Sequence, residues 1–432
     1  MHTRSLRFAA ALLTLIVVLP ACSVTPLLKK GSTGGWVDWD GRGGWSGSAV
    51  ADGVLRGETG SGRPVAAGEP ALEARPAIGT SDSTMRAGQQ TPNLRAGSVD
   101  DNANWDDYLL YLRQAQGWGL GVHELDVRAR HRFFVENAHG LPVLGARLEV
   151  RGENGELLTQ AQTGADGLAY FFAPETEGQQ LSFEARVSKG SAQSILQISN
   201  DERDHHIRLD VPARPQPIPL DILFLVDSTG SMGDEIDRLK ENMISVAERI
   251  SSLPGSPDLR FGLTTYRDRG DLFTSRTFDL TPDVEAFTQA LRQVEADGGG
   301  DYPESLNEGL HDALHLPEWR VEDTVSLLFL VADAPPHLDY PQDYDYAEEM
   351  VVASARGIKF FTLASSGLDD QGEYIFRQLA QYTGGKFIFL TYGAEGAPGD
   401  ETSHHVGDYS VLSLDDLIVR LVREQLAFLQ VE

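Results

Sequence analysis

The chain has a single cysteine, Cys22, among 432 residues. No disulfide can form within it, so its stability rests on packed cores. Positive charge is also scarce: 36 lysines and arginines face 64 aspartates and glutamates, a formal net charge of −28. Such an acidic surface repels phosphates, which argues against a nucleic-acid partner and suits cations or basic surfaces. The sequence has no glycine-rich loop ending in Lys and Ser or Thr to cradle a phosphate, and no serine on a strand-to-helix elbow. Ser231 has no histidine placed by sequence to activate it. The expectation is a protein that is not an enzyme. Metal-assisted phosphohydrolysis remains a distant alternative, because an oxygen-ligated dication can serve a hydrolase.

A chain of this length has room for two or three domains. Residues 1–21 begin with Arg4 and Arg7 and continue in an apolar run from Phe8 to Leu19, too short to span a bilayer comfortably. "LPAC" follows, ending at Cys22. This stretch resembles a bacterial lipoprotein signal peptide. The resemblance implies cleavage before Cys22, acylation of its thiol, and attachment to the membrane by that lipid anchor alone. Ser23 does not resemble an inner-membrane retention signal, which favours the outer membrane of a Gram-negative envelope. Residues 22–100 are rich in Gly, Ala, Ser and Pro and read as a disordered, flexible tether. Its root-mean-square reach is roughly 50 Å.

The pattern changes in residues 101–211. "NANWDDYLLYLRQA" reads as a short helix with Asn104 as N-cap and Tyr108, Leu109, Tyr111 and Leu112 on one side. Short alternating segments follow, separated by turns such as "GENG" and "GADG", as in a small all-β sandwich. "ENAHGLPVLGARLEV" and "TGADGLAYF" resemble bacterial immunoglobulin-like domains of the carboxypeptidase-regulatory or collagen-adhesin B type. The resemblance implies a spacer. Some relatives carry a Lys–Asn crosslink. Lys189 is the only lysine in 101–211, so no such bond is expected. Residues 212–219 form a proline-rich linker.

Residues 220–432 alternate strand and helix. Strands are expected at 221–227, 259–267, 274–280, 324–333, 358–365 and 386–392, and helices near 233–252, 283–294, 303–315, 344–356, 372–383 and 414–430. Near-continuous apolar strands need helices on both faces. The fold class is therefore α/β, a doubly wound, mostly parallel six-stranded sheet with an antiparallel hairpin at one edge. Ligands bind such sheets beyond the carboxyl ends of the strands. "LFLVD" ends there in Asp227 and "LFLVAD" in Asp333, and "ADGGGDYPES" brings Asp301 to a helix start. With Thr229 and Ser231 these aspartates make an all-oxygen set that suits one hard dication, Mg²⁺ or alternatively Ca²⁺ or Mn²⁺.

"DSTGS", residues 227–231, resembles the Asp-x-Ser/Thr-x-Ser motif of von Willebrand factor type A domains, the metal-ion-dependent adhesion site. The resemblance covers about 210 residues and implies a Rossmann-like fold. It assigns Asp227, Thr229 and Ser231 to the first metal-binding loop and Asp333 to the third. In the second loop Asp301 stands where many members have threonine, and a third carboxylate leaves a local charge of about −1 around a dication. Ser228, Gly230, Tyr266, Arg267, Asp268 and His337 are candidates for the site rim. The family likeness implies a cation-dependent protein binder whose partner supplies an acidic side chain. The alternative is a constitutive scaffold in which the ion only pins the loops.

Three further motifs carry less. Arg269-Gly270-Asp271 reads as a polar turn near the metal end of the sheet, and the pairs His205-His206 and His404-His405 as solvated histidines. The last helix is expected to pack on the sheet through Leu414, Leu417, Val419, Leu421 and Leu426.

Overall fold

The computed structural model describes residues 94–174, 181–212, 216–253, 257–391, 404–407 and 409–429, with the backbone of a short strand at 37–39. The signal peptide, Cys22 and most of the expected tether lie outside the described residues. The elements in chain order are β1 (Val37–Trp39), β2 (Arg95–Val99), α1 (Trp105–Ala115), β3 (Arg130–Glu136), β4 (Arg147–Arg151), β5 (Leu157–Gln162), β6 (Leu168–Phe172), β7 (Ser182–Lys189), β8 (Ala192–Ser199) and β9 (Asp204–Arg208). Then come β10 (Pro219–Asp227), α2 (Ile236–Ser251), β11 (Asp258–Tyr266), β12 (Ser275–Thr281), α3 (Val284–Arg292), α4 (Leu306–His315), β13 (Val325–Ala332), α5 (Tyr346–Ala355), β14 (Ile358–Ala364), α6 (Asp370–Thr383), β15 (Phe387–Leu390), β16 (Leu412–Ser413) and α7 (Leu414–Ala427).

Strands β11, β10, β13, β14 and β15 are parallel neighbours, and β12 closes one side antiparallel to β11. Side chains alternate across the sheet with the period of a strand. Ile222, Phe224 and Val226 of β10 join Leu239, Phe287 and Leu417 of α2, α3 and α7, while Leu223 and Leu225 join Leu310, Tyr346 and Ile375 of α4, α5 and α6. Burial on both faces explains why these strands read as unbroken apolar runs. The final helix is packed through all five of its expected leucine and valine positions. Ser245 and Arg249 of α2 further bind Asp415 at its start, at 2.9 and 2.8 Å.

Among the described residues the sheet has nine strands rather than six, in the order β1-β12-β11-β10-β13-β14-β15-β2-β16. Two of the additions come from the expected tether. Strand β2 pairs antiparallel with β15, Gly97 opposite Phe389, and Ala96 and Val99 are buried. Its small residues, which read as flexible, are what this place needs. A Cβ on Gly97 would come within 2.5 Å of Tyr409 and 2.7 Å of Phe389. The boundary of the tether at residue 100 is thus corrected: 95–99 belong to the sheet, because pairing to β15 satisfies their backbone.

Asn104 precedes α1, but its side chain makes no capping bond. The helix packs Tyr108, Tyr111 and Ala115 against Val127 and against Tyr374 of α6. The strands from β3 to β9 form two sheets, β6-β3-β9 and β5-β4-β7-β8, around one apolar core that includes Phe133, Leu148, Phe171, Phe183 and Ile207. Asp166-Gly167 makes the turn before β6, the Asp166 carboxylate accepting from Leu168 N at 3.1 Å.

These two sheets lie directly on the α/β layer. The linker is correspondingly shorter than expected, since Pro219 already pairs with Asp258 in the sheet. Gln162 donates to Ala355 O at 3.1 Å, Lys189 pairs with Asp323 at 2.8 Å, and Lys359 meets both Asp166 at 3.2 Å and Gln425 at 3.0 Å. Lys359 is a buried cation in a strand, and a neighbouring domain that supplies Asp166 compensates its charge.

The histidine pairs are not solvated as a set. His205 and His206 do point to opposite faces. His205 is buried with its Nε2 3.0 Å from His131 Nδ1, while His206 stacks on Phe134. His404 places Nδ1 3.2 Å from the buried Glu373 carboxylate. An acid inside the protein needs such a partner, which a reading of adjacent residues does not reveal. Among the described residues no helix is long and apolar enough to cross a membrane.

Candidate metal centre

The carboxyl ends of β10 and β13 lie side by side, because these strands pair in register from Leu220–Val325 to Val226–Val331. Asp227 follows Val226 directly, and Asp333 stands two residues beyond Val331, after Ala332. Asp227 is fully buried, and its Oδ1 accepts from Thr229 N at 2.9 Å and from Thr229 Oγ1 at 2.7 Å. Thr229 Oγ1 lies 3.2 Å from Ser231 Oγ, which donates to Asp333 Oδ1 at 3.1 Å. The backbone then enters a 3₁₀ turn, Gly230–Asp234, before α2 begins. Four of the five expected metal ligands are therefore linked in one hydrogen-bonded chain.

Asp301 is not part of that chain. Its side chain is 64% exposed, and its Oδ2 lies 3.8 Å from His337 Nε2. Asp268, Asp301 and His337 form a group whose ligand atoms lie within 4.8 Å of one another. The second loop instead turns Glu304 inward. Glu304 is 2% exposed, and its Oε2 has no hydrogen-bond partner. A Cβ on Gly299 would meet Glu304 Oε1 at 2.7 Å and Thr229 Cβ at 3.3 Å, which locates Glu304 against the first loop. Gly298 and Gly299, just before Asp301, have φ values of 79° and 73°, a conformation open to glycine. Of the two acids in this loop, Glu304 and not Asp301 lies against the first loop. The signal was present in "GGGDYPES", where Glu304 is the other acid of the same loop.

Backbone bonds set the loops. Glu304 N donates to Pro335 O at 3.0 Å and His337 N to Glu304 O at 3.0 Å, so the two prolines after Asp333 hold the third loop against the second. Gly230 N donates to Gly298 O at 3.1 Å, and Asp297 N to Ser228 O at 3.0 Å, joining the first loop to the second. Asp271 accepts from Gly299 N at 2.8 Å. Arg269 binds Glu308 and, at 2.6 Å, Asp343. The Arg-Gly-Asp triplet is thus a turn whose charged ends brace the site.

The expected rim residues are mostly struts. Ser228 is buried and bonds Tyr266 O at 2.9 Å. Tyr266 is itself fully buried, packed where Gly309 of α4 leaves room for its ring. Arg267 is buried and reaches Glu295 O at 2.8 Å. Asp268 accepts from Ser305 Oγ at 3.0 Å and Tyr340 Oη at 3.2 Å. His337 is buried beside it, with Nδ1 2.8 Å from Asp339. Gly230 alone of the six is exposed. Alternation along a strand and the path of a loop decide these burials, and the identity of the residues does not.

The centre is strongly anionic. Burial, and then the Asp333 carboxylate, push the Asp227 carboxyl up to about 7. Burial, then Asp227 and Asp268, push Glu304 up to about 9. Asp333 is also raised by burial, against the Ser231 hydroxyl that lowers it. Burial and the same three carboxylates lift the Tyr266 hydroxyl well above its usual range. Among the described residues no lysine, arginine or histidine forms an ion pair with Asp227, Asp333 or Glu304. Asp227 Oδ2, like Glu304 Oε2, is buried without a hydrogen-bond partner. Buried acids are ordinarily paired or bound to a metal. Unpartnered carboxylate oxygens beside two hydroxyls are donors of the type that a hard dication takes.

Residues 221–392 match the family model of the von Willebrand factor A domain. Among known proteins, the chain is similar to the alpha-protein kinase vwkA of Dictyostelium discoideum, 30% identical over 139 residues, which is 32% of this chain and 22% of that protein. It is also similar to von Willebrand factor A domain-containing protein 7 of Homo sapiens, 33% identical over 155 residues, 35% of this chain and 15% of that one. The matches thus span less than a quarter of either relative. The parallel sheet, the paired strand ends and these likenesses agree: residues 221–392 of this chain are a von Willebrand factor A domain.

Proposed function

We propose that this protein is a cation-dependent protein binder of the cell envelope, with Asp227, Thr229, Ser231, Asp333 and Glu304 as its metal-ion-dependent adhesion site. The observation that carries the reading is the unpartnered Oδ2 of the buried Asp227, in a hydrogen-bonded chain with Thr229, Ser231 and Asp333. One Mg²⁺ suits such a set, with Ca²⁺ and Mn²⁺ as alternatives. The bound ion would supply a coordination position for an acidic side chain of the partner. The chain's own residues do the rest. Asp227 and Asp333 provide the negative charge, Thr229 and Ser231 provide neutral oxygens, and the clipped loops hold all of them without further ordering. Glu304, raised to about 9 by burial and its acidic neighbours in the cation-free protein, would release its proton to ligate the ion.

The role is binding and not catalysis. An acyl anchor on Cys22 and a tether up to β2 would carry the folded region away from the membrane, and the sandwich, of immunoglobulin-like kind, would serve as a spacer braced on the binding domain. Titration of Mg²⁺ into the chelated full chain, followed by pull-down from envelope extract with Mg²⁺ or with EDTA, tests the reading. The expected result is heat on injection and partners retained with Mg²⁺ but released by EDTA and by Asp333→Ala. Partners held equally well in EDTA would leave only a scaffold role. Protease treatment of intact cells then separates a surface-facing head from one facing the periplasm.

A further inference from the structure

We propose that His311, His315 and Glu349 form a second metal site, for a transition-metal dication of the zinc class, between α4 and α5. His311 and His315 are four residues apart on α4 and therefore share a face. Their rings stack with centroids 4.3 Å apart. Glu349 reaches them from α5. Its Oε1 is 2.7 Å from His311 Nδ1 and its Oε2 3.1 Å from His315 Nε2. The three ligand atoms all lie within 4.8 Å of one another. Two ligands on a tetrahedral zinc stand about 3.4 Å apart, so Glu349 would open from the histidines by less than about 1 Å and the widest separation would close by at most about 1.4 Å to accept the ion.

The donor chemistry separates this site from the oxygen cluster. Two imidazoles and one carboxylate suit zinc and its neighbours, whereas Mg²⁺ and Ca²⁺ prefer oxygen alone. Three protein ligands leave a fourth position, and the exposed His315 gives the ion a way in from solvent. The surroundings orient the ligands. The Tyr344 ring lies parallel to His311 at 3.6 Å and fixes its plane. Ser275 holds the neighbouring buried Asp312, whose negative charge favours a cation beside it. Arg356, on which the Glu349 charge acts, is bound to Leu314 O on α4. An ion here would tie α4, which follows the Glu304 loop, to α5, which follows the Asp333 loop.

The test is calorimetry with ZnCl₂ on the chelated full chain in excess MgCl₂, which keeps the oxygen cluster occupied. Co²⁺ absorption serves as a second readout of nitrogen ligation. The wild type is expected to take up zinc with an affinity that falls at least about tenfold in His311→Ala and in His315→Gln. The glutamine can still donate to Glu349, and a thermal melt in EDTA matching the wild type shows that this variant folds. Absence of zinc uptake by the wild type overturns the proposal. So does uptake left unchanged by His315→Gln, which would assign the trio to hydrogen bonding alone.

Discussion

Ser231 Oγ donates to Asp333 Oδ1 at 3.1 Å, joining residues 102 positions apart in sequence. The bond spans the ends of the two central strands and fixes the distance between the first and third loops. Asp333→Ala removes a ligand and is expected to weaken Mg²⁺ binding by about 100-fold or more, with Ser231→Ala smaller. The second loop discriminates more sharply. Glu304→Gln should weaken binding, whereas Asp301→Asn should leave it within about fivefold, the scale of an exposed charge. Calorimetry on the four variants checks this. If Asp301→Asn were the more damaging of the last pair, Asp301 would return to the site in place of Glu304.

The Asp227 carboxyl, raised from 3.8 to about 7, predicts how the chelated protein responds to pH. The folded state holds this proton more tightly than the unfolded state. Its favourable contribution is complete below the unfolded value and is lost as pH rises to about 7. Chelated Asp227→Asn should therefore gain melting temperature over the wild type between about pH 5 and about pH 8, and saturating Mg²⁺ should reverse the order at the higher pH. Melting curves whose difference does not change with pH would refute it.

The bidentate pair of Arg377 with Asp101, at 3.0 and 2.6 Å, ties the segment before α1 to α6. Both side chains are buried, 4% and 3% exposed. Removing Arg377 leaves the buried Asp101 as an uncompensated charge, so Arg377→Ala is expected to destabilise the fold by about 3–5 kcal/mol. Urea unfolding followed by fluorescence measures it. A loss below about 1 kcal/mol, typical of a surface pair, would show that this segment is not part of the cooperative unit.

Much of this was legible in the chain. The apolar strands of residues 220–390 could be read because burial on both faces leaves no polar alternation, and their helices because the period changes at each turn. Asp227 and Asp333 stood out as charges ending apolar runs. Other features depended on contacts between distant residues. Strand β2 has the composition of a tether and becomes a strand only where β15 offers a free edge and Gly97 fits beneath Tyr409. Tyr266, Arg267 and Asp268 look like rim residues until packing buries them.

By itself, then, the sequence determined the alternating strand-and-helix order, the strand ends that carry Asp227 and Asp333, and the acidic character of the site. These follow from local periodicity and residue chemistry. Only the tertiary structure decided that Glu304 turns in while Asp301 turns out, that the two smaller sheets lie against the α/β domain through Lys359, and that His311, His315 and Glu349 meet. Each depends on a backbone path or a neighbouring element, and no local pattern encodes a contact made across dozens of residues.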